Sequence, residues 1–159
     1  MSHRTVVAVE RPDGHYDVSE VRGTVLAHEH AEPFRRVVAG DCPPIERRPL
    51  AEAVSDAALA DHVDPGRHER LSVVARDGHV GSYLVLWFGA ALGTGTDDGA
   101  LVSYDHEDRA DEAYLRGWWH GLTDGVGALV DESIAEREAM ACLRERVDAI
   151  GDTREVLTL

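Results

Sequence analysis

The chain contains no lysine, no asparagine and no glutamine. Without lysine there is no P-loop lysine, no Schiff-base amine and no lysine general base. Cysteine is nearly absent: Cys42 and Cys142 are the only two. Two thiols cannot build a zinc knuckle or ribbon, and no Cys-x-x-Cys pair exists. They read as free thiols of a reducing cytoplasm, with Cys142 on the apolar face of a helix. A Gly-x-Ser-x-Gly nucleophile elbow is also missing. The longest apolar run, Tyr83 to Leu92, is too short to span a bilayer. Met1-Ser2-His3-Arg4 leads straight into a strand-like run, so no signal peptide is expected. Large apolar residues are scarce too, with Phe occurring twice and Ile three times.

Acid is what the chain has in excess. Thirty Asp and Glu face sixteen basic residues, all Arg, giving a formal net charge of −14 over 159 residues. With 43 % hydrophobic residues, that length suits one compact domain, residues 1–159, rather than two cores or a disordered chain. Such a charge repels itself in ordinary buffer, whereas at molar salt the Debye length falls to about 3 Å and the repulsion is screened. Abundant hydrated carboxylate, Arg without Lys and a light Ala/Val core together resemble the proteome style of extremely halophilic archaea. Arg35-Arg36 and Arg47-Arg48 sit among acids rather than in a basic stripe. Counterion-release binding fades as salt rises, so neither nucleic acid nor an anionic membrane surface is an expected partner.

The pattern along the chain predicts an α+β fold: mainly an antiparallel sheet of hairpins, with two C-terminal helices packed on one face. Thr5–Glu10 and Tyr16–Val25 flank the x-Pro-Asp-Gly turn Arg11–Gly14. Ala39–Pro49 reads as a loop. Leu50–Val63 has apolar residues at 50, 53, 54, 57 and 58, helical spacing with Pro49 suited to the first helical position. Leu71–Ala75 and Val80–Phe88 flank Arg76-Asp77-Gly78, the best hairpin signal in the chain. The run Tyr83–Phe88 suggests a central strand buried on both faces. Gly93–Gly99 is a connection, followed by a strand over Ala100–Tyr104. Asp108 is a plausible N-cap for a helix reaching Val130. Ser133-Ile-Ala-Glu136 forms a capping box for a second helix ending near Ile150. Arg154–Leu159 closes the sheet as an edge strand.

Five segments are candidate sites. On a strand, His28, His30 and Glu32 would share one face, which is the ligand set of a facial-triad iron or a catalytic zinc, and a divalent metal is the cofactor this implies. The His-x-His pair is similar to the first cupin metal motif, but Phe34 and Arg35 stand where cupins carry the acid; a solvated strand edge ended by Pro33 is the plainer reading. Gly117, Gly121 and Gly125 line one stripe of a helix at about 1 kcal/mol each against Ala, so something is expected to approach closely. That neighbour is either the sheet or last helix of the same chain, or another protein. Asp111, Glu112, Arg116 and Asp124 exclude a membrane-dimer motif there. Trp118 and Trp119 either cover the core or anchor an interface. Gly93–Gly99 lacks the following helix that a dinucleotide loop needs, and Asp97 and Asp98 lack the other ligands of a calcium loop. Asp105–Asp108, with Arg109 and Asp111, offers a His among acids, and a solvated capping loop accounts for it better than a general base.

His3–Tyr16, Val85–Phe88 and Tyr114–Trp118 resemble segments of a family of small haloarchaeal proteins of unknown function. These segments carry no known active site, so the resemblance implies origin and size but no reaction. Three hypotheses follow. The favoured one is a non-enzymatic interaction or structural protein of a high-salt cytoplasm, self-associating or a subunit of a larger assembly, with a virus particle as an alternative setting. The second is a metal-dependent enzyme built on His28, His30 and Glu32. The third is a small-ligand-binding regulatory domain with a pocket between sheet and helices.

Overall fold

The computed structural model describes residues 4–22, 46–132 and 135–159. Strands β1 (Arg4–Glu10), β2 (Tyr16–Arg22), β3 (Glu46–Val54), β4 (Arg70–Val74), β5 (Val80–Trp87), β6 (Gly99–Tyr104) and β7 (Val156–Thr158) form one sheet, with helices α1 (Phe88–Leu92), α2 (Arg109–Glu132) and α3 (Glu136–Ile150). The strand order is β3-β2-β1-β4-β5-β6-β7. Every neighbouring pair is antiparallel except β1·β4, which run parallel. The α+β fold with two C-terminal helices is therefore as the sequence implies.

Both predicted hairpins form, and each turn closes on a glycine with positive φ: Gly14 at 80° and Gly78 at 101°. Only glycine enters that region without a Cβ penalty, which is why the Asp-Gly pairs were informative. In β5 the residues facing the helices, Val80, Ser82, Leu84 and Leu86, are buried, while Tyr83 and Val85 on the opposite face are half-buried. This strand is thus central, but fully buried on one face rather than two.

The largest correction falls on Leu50–Val63, which is not a helix. Glu46–Val54 is an edge strand, followed by two short 3₁₀ turns at Asp56–Ala58 and Ala60–His62. Pro49 fits an edge strand as well as a helix start, because its missing N–H weakens no ladder if it faces solvent. The apolar spacing misleads because β3 is bulged. Its register against β2 shifts between Tyr16 and Val18 and again between Val18 and Ser19, and Ala53 takes φ 55°. Two inserted residues break the period of two, so Leu50, Ala51 and Val54 all reach the core. The Ala39–Pro49 loop is corrected with it: Glu46–Pro49 belong to β3, and 39–45 lie outside the described residues.

Two boundaries also move. β5 ends at Trp87, and Phe88–Leu92 turns into α1 before the Gly93–Asp98 connection. The last helix begins at Glu136 with Ala135 at its cap, and Ser133 lies outside the described residues. Alanine has no side-chain acceptor, so half of the box remains: Glu138 accepts from the Ala135 N–H at 3.4 Å.

The sheet separates two apolar layers. On one side α2 and α3 lay Leu115, Val126, Ala139, Leu143 and Val147 on Leu84, Leu86, Ala100 and Val102. On the other, the 3₁₀ turns bring Leu59 and Val63 onto Val6, Ala8, Val18, Leu71 and Leu101. The light Val/Ala core foreseen from composition is what both layers show.

Candidate functional site

Helix α2 carries the site, and its first turn fixes its position. Asp108 accepts the Ala110 N–H at 2.9 Å, as an N-cap should. Asp111 is gripped by both terminal nitrogens of Arg154, one at 2.9 Å, while Arg154 also donates to the Ser103 carbonyl at 3.0 Å. Asp111 in turn accepts the Asp105 N–H at 2.8 Å. Glu112 binds Arg70 of β4, and Arg116 one turn along at 2.8 Å. The Arg154 grip holds the Asp111 carboxyl below the ordinary Asp range. For Glu112, burial pushes upward, but Arg116 and Arg70 outweigh it and the net shift is downward. These pairs tie the helix start to the sheet and account for the acidic 105–111 segment as capping and anchoring. Among the described residues Arg70 keeps one buried nitrogen, Nε, without a hydrogen-bond partner.

Beyond the first turn the helix divides into two faces. Leu115, Trp118, Trp119, Leu122 and Val126 lie against the core. Both tryptophans are half-buried; Trp119 packs on Phe88 with ring centroids 5.6 Å apart, and the two indoles are 6.3 Å apart. The rings thus cover the core. At 100° per residue, Tyr114, Gly117, Gly121, Gly125 and Ala128 occupy a different sector, roughly 80° wide and about a third of a turn away. All five are exposed. A Cβ built on Gly117, Gly121 or Gly125 meets nothing within 4 Å. Neither the sheet nor α3 lies in that groove, so the close approach expected within the chain is corrected. Tyr114, 62 % exposed, belongs to this sector, whereas Leu129, 46 % exposed, lies about 40° outside it on the side of Trp118 and Leu122; these two are the exposed large hydrophobics among the described residues.

His28, His30 and Glu32 lie outside the described residues. Among the described residues no group of three His, Cys, Asp or Glu is placed to hold a metal. No described helix is long and apolar enough to cross a membrane. Gly93–Gly99 connects α1 to β6 with Gly93 as the left-handed cap of α1, and Thr96 accepts from the Trp87 indole at 2.8 Å through its carbonyl. Cys142 is a free thiol, half-buried against the helix-side core.

Sequence reading missed a buried polar centre on the other side of the sheet. Glu20 of β2 is 2 % exposed and His68 is 5 % exposed. Arg67 grips both Glu20 oxygens, Nε at 2.5 Å and an Nη at 3.0 Å, and His68 Nε2 lies 3.1 Å from Oε2. His68 Nδ1 accepts the Asp64 N–H at 2.9 Å, so in the neutral ring the proton sits on Nε2 and is donated to Glu20. The Arg67 bond, with help from His68, holds the Glu20 carboxyl down at about 2, against the opposing push of burial. Burial lowers His68 more than Glu20 raises it. Arg67 and His68 between them engage both Glu20 oxygens, so the group locks the β3–β4 connection onto β2. The sequence signal was present but slight: Glu20 follows Val18 by two on a strand, a charge at an inward position.

A cleft of about 150 Å³ lies between α3 and the β6–β7 edge, with Phe88, Ala100, Val147 and Val156 inside and Arg144 and Asp98 paired at 3.1 Å on its rim. Taken together, the described residues present anchored acids, a buried Glu20–Arg67–His68 centre and one open helix face.

A family model described as "Family of unknown function (DUF6735)" matches residues 20–158, and the chain belongs to that family. No curated protein matches the chain, and no solved structure does.

Proposed function

We propose that this member of a family without an assigned function is a non-enzymatic interaction protein that self-associates through the outer face of α2. The observation that carries the reading is the open glycine groove of Gly117, Gly121 and Gly125, which exposed Tyr114 adjoins. Glycine in a helix interior costs about 1 kcal/mol against Ala. That cost returns nothing inside the described chain, and close approach of a second helix is what such a groove permits. The groove is also self-complementary. Gly117 lies four residues before Gly121 and Gly125 four after it. An antiparallel two-fold through Gly121 therefore sets each Gly117 across from the Gly125 of the other copy, the isologous arrangement of most dimers.

The setting we propose is the salt-rich cytoplasm of an extreme halophile, or a virus particle assembled in one. Support comes from the net charge of −14 and the absence of lysine. Two such chains repel in dilute buffer and meet when molar salt screens them. Nucleic acid and membrane surfaces are not partners in this reading, since the chain lacks the basic stripe that either requires.

The test is sedimentation equilibrium in molar KCl. Gly121→Leu fills open space in the monomer and should leave folding intact. It is expected to lower the association constant at least tenfold. An unchanged native mass would exclude α2 as the interface.

A further inference from the structure

The sheet face opposite α2 and α3 is covered by one connection, which runs from β3 to β4. Among the described residues, the apolar members of that layer outside the strands are Leu159 and the connection's own Ala58, Leu59, Ala60 and Val63. The backbone hydrogen bonds of this segment are local. The N–H groups of Ala58, Leu59, His62, Val63 and Arg67 donate to carbonyls three residues back, and that of His68 to one four back. Among the described residues, every hydrogen bond from 55–68 to the rest of the fold ends on a single carboxylate, that of Glu20 on β2. Only apolar contact holds the segment elsewhere. Pro65 seats over Gly99, where a Cβ would stand 2.9 Å from the proline ring, and Gly66 backs onto the Trp87 indole.

That one polar tie suits a neutral His68 and not a charged one. Nδ1 accepts the Asp64 N–H at 2.9 Å, and Nε2 faces Glu20 at 3.1 Å. A second ring proton would sit on Nδ1 and point at the Asp64 N–H, donor against donor. The charged groups acting on the ring are Glu20 from β2 and Asp64 and Arg67 from the connection itself, and burial outweighs the two carboxylates. Around Glu20, Arg22 lies 3.6 Å from one oxygen, β3 sets Arg48 opposite, and β1 sets the uncharged Val6 opposite. Released from the sheet, the ring takes up its second proton freely.

We propose that residues 55–68 form a strap that opens as a unit while the strands stay paired, and that acid opens it by protonating His68. Opening lifts Leu59 and Val63 from Val6, Ala8, Val18 and Leu71 and uncovers an apolar sheet face. A segment with local hydrogen bonds and one polar tie separates from the fold at lower cost than a strand held by ladders on both sides. The direction follows from linkage. The closed strap keeps His68 neutral, so its contribution is complete above about pH 6.5 and declines as pH falls below that value. The latch is buried, so molar salt screens it far less than the exposed charges of the surface. In a salt-rich setting, control therefore rests with a group that salt does not mask.

Hydrogen–deuterium exchange of the full chain in molar KCl reads the strap directly. The amides of Leu59, His62, Val63 and His68 are expected to open at least about a hundredfold more often than those of β4 and β5. Corrected for intrinsic exchange, the strap's opening constant should rise about tenfold from about pH 7.5 to about pH 5.5. His68→Asn removes the titrating ring and should make that constant independent of pH across the same range. Arg67→Met keeps the stem and removes the fork on Glu20. It should raise strap opening at least about tenfold at the higher pH, and it tests the latch even if the His68 variant fails to fold. Strap amides as protected as those of β4 and β5, a wild-type opening constant equal at the two pH values, a pH dependence that survives His68→Asn, or no increase with Arg67→Met would overturn the proposal.

Discussion

The two faces of α2 are made of different material. The inner face carries Leu115 and Val126, fully covered, and two indoles laid over the helix-side core. The outer face carries three glycines over which no described residue lies. Each inner residue removes apolar area from water at about 25 cal/mol per Å², so its presence is explained within one chain. Each outer glycine weakens the helix, and nothing described in the chain offsets it. The contrast teaches where to look for function: at the positions whose cost has no return among the described residues.

That contrast can be broken experimentally, starting from the inner face. Leu115→Ala should destabilise the monomer by about 3 kcal/mol, the usual cost of a buried large-to-small change, seen as a lowered midpoint in denaturant. Trp119→Ala removes a half-buried ring against Phe88 and should cost about 2 kcal/mol. It should weaken association only as far as it unfolds the chain. An equal loss of association at constant stability would assign Trp119 to the interface instead.

Acid should loosen the helix anchors next. Asp111 and Glu112 titrate below their ordinary values in the folded chain, as does Glu20, at about 2. A depressed carboxyl stabilises the fold above its unfolded value, and that contribution is lost as pH falls through the folded one. His68 acts in the same direction from higher pH: its folded value is lowered, so below about pH 6.5 the unfolded chain takes up a proton that the folded chain refuses. Stability should therefore decline from about pH 6.5 and fall faster below about pH 4.5. His68→Asn should flatten the upper part of that profile, and a flat wild-type profile between pH 6.5 and 5 would remove His68 from the account.

The smallest expected change has the opposite sign. Gly121→Ala should stabilise the monomer by up to about 1 kcal/mol, because its Cβ meets nothing and the helix gains propensity. A destabilised monomer would mean that the groove is filled within the chain.

Much of the fold was legible because its signals are local. Asp13-Gly14 and Asp77-Gly78 place the hairpins, and Asp108 starts α2 at the position its spacing suggests. β3 was not legible, because proline and spaced apolar residues serve a bulged edge strand and a helix start equally well. Glu20 and His68 lie 48 residues apart, and their pairing depends on the parallel β1·β4 crossover, which no short window contains. For the candidate site, the glycine spacing identified the stripe, but only the fold showed that it faces outward.

The most direct test of the central claim compares the wild-type chain with Gly121→Leu by sedimentation equilibrium in molar KCl, with unfolding midpoints measured on the same samples. The account predicts an associated wild type and a variant whose α2 contact is weakened at least tenfold with its midpoint preserved. Equal masses at equal midpoints would contradict it.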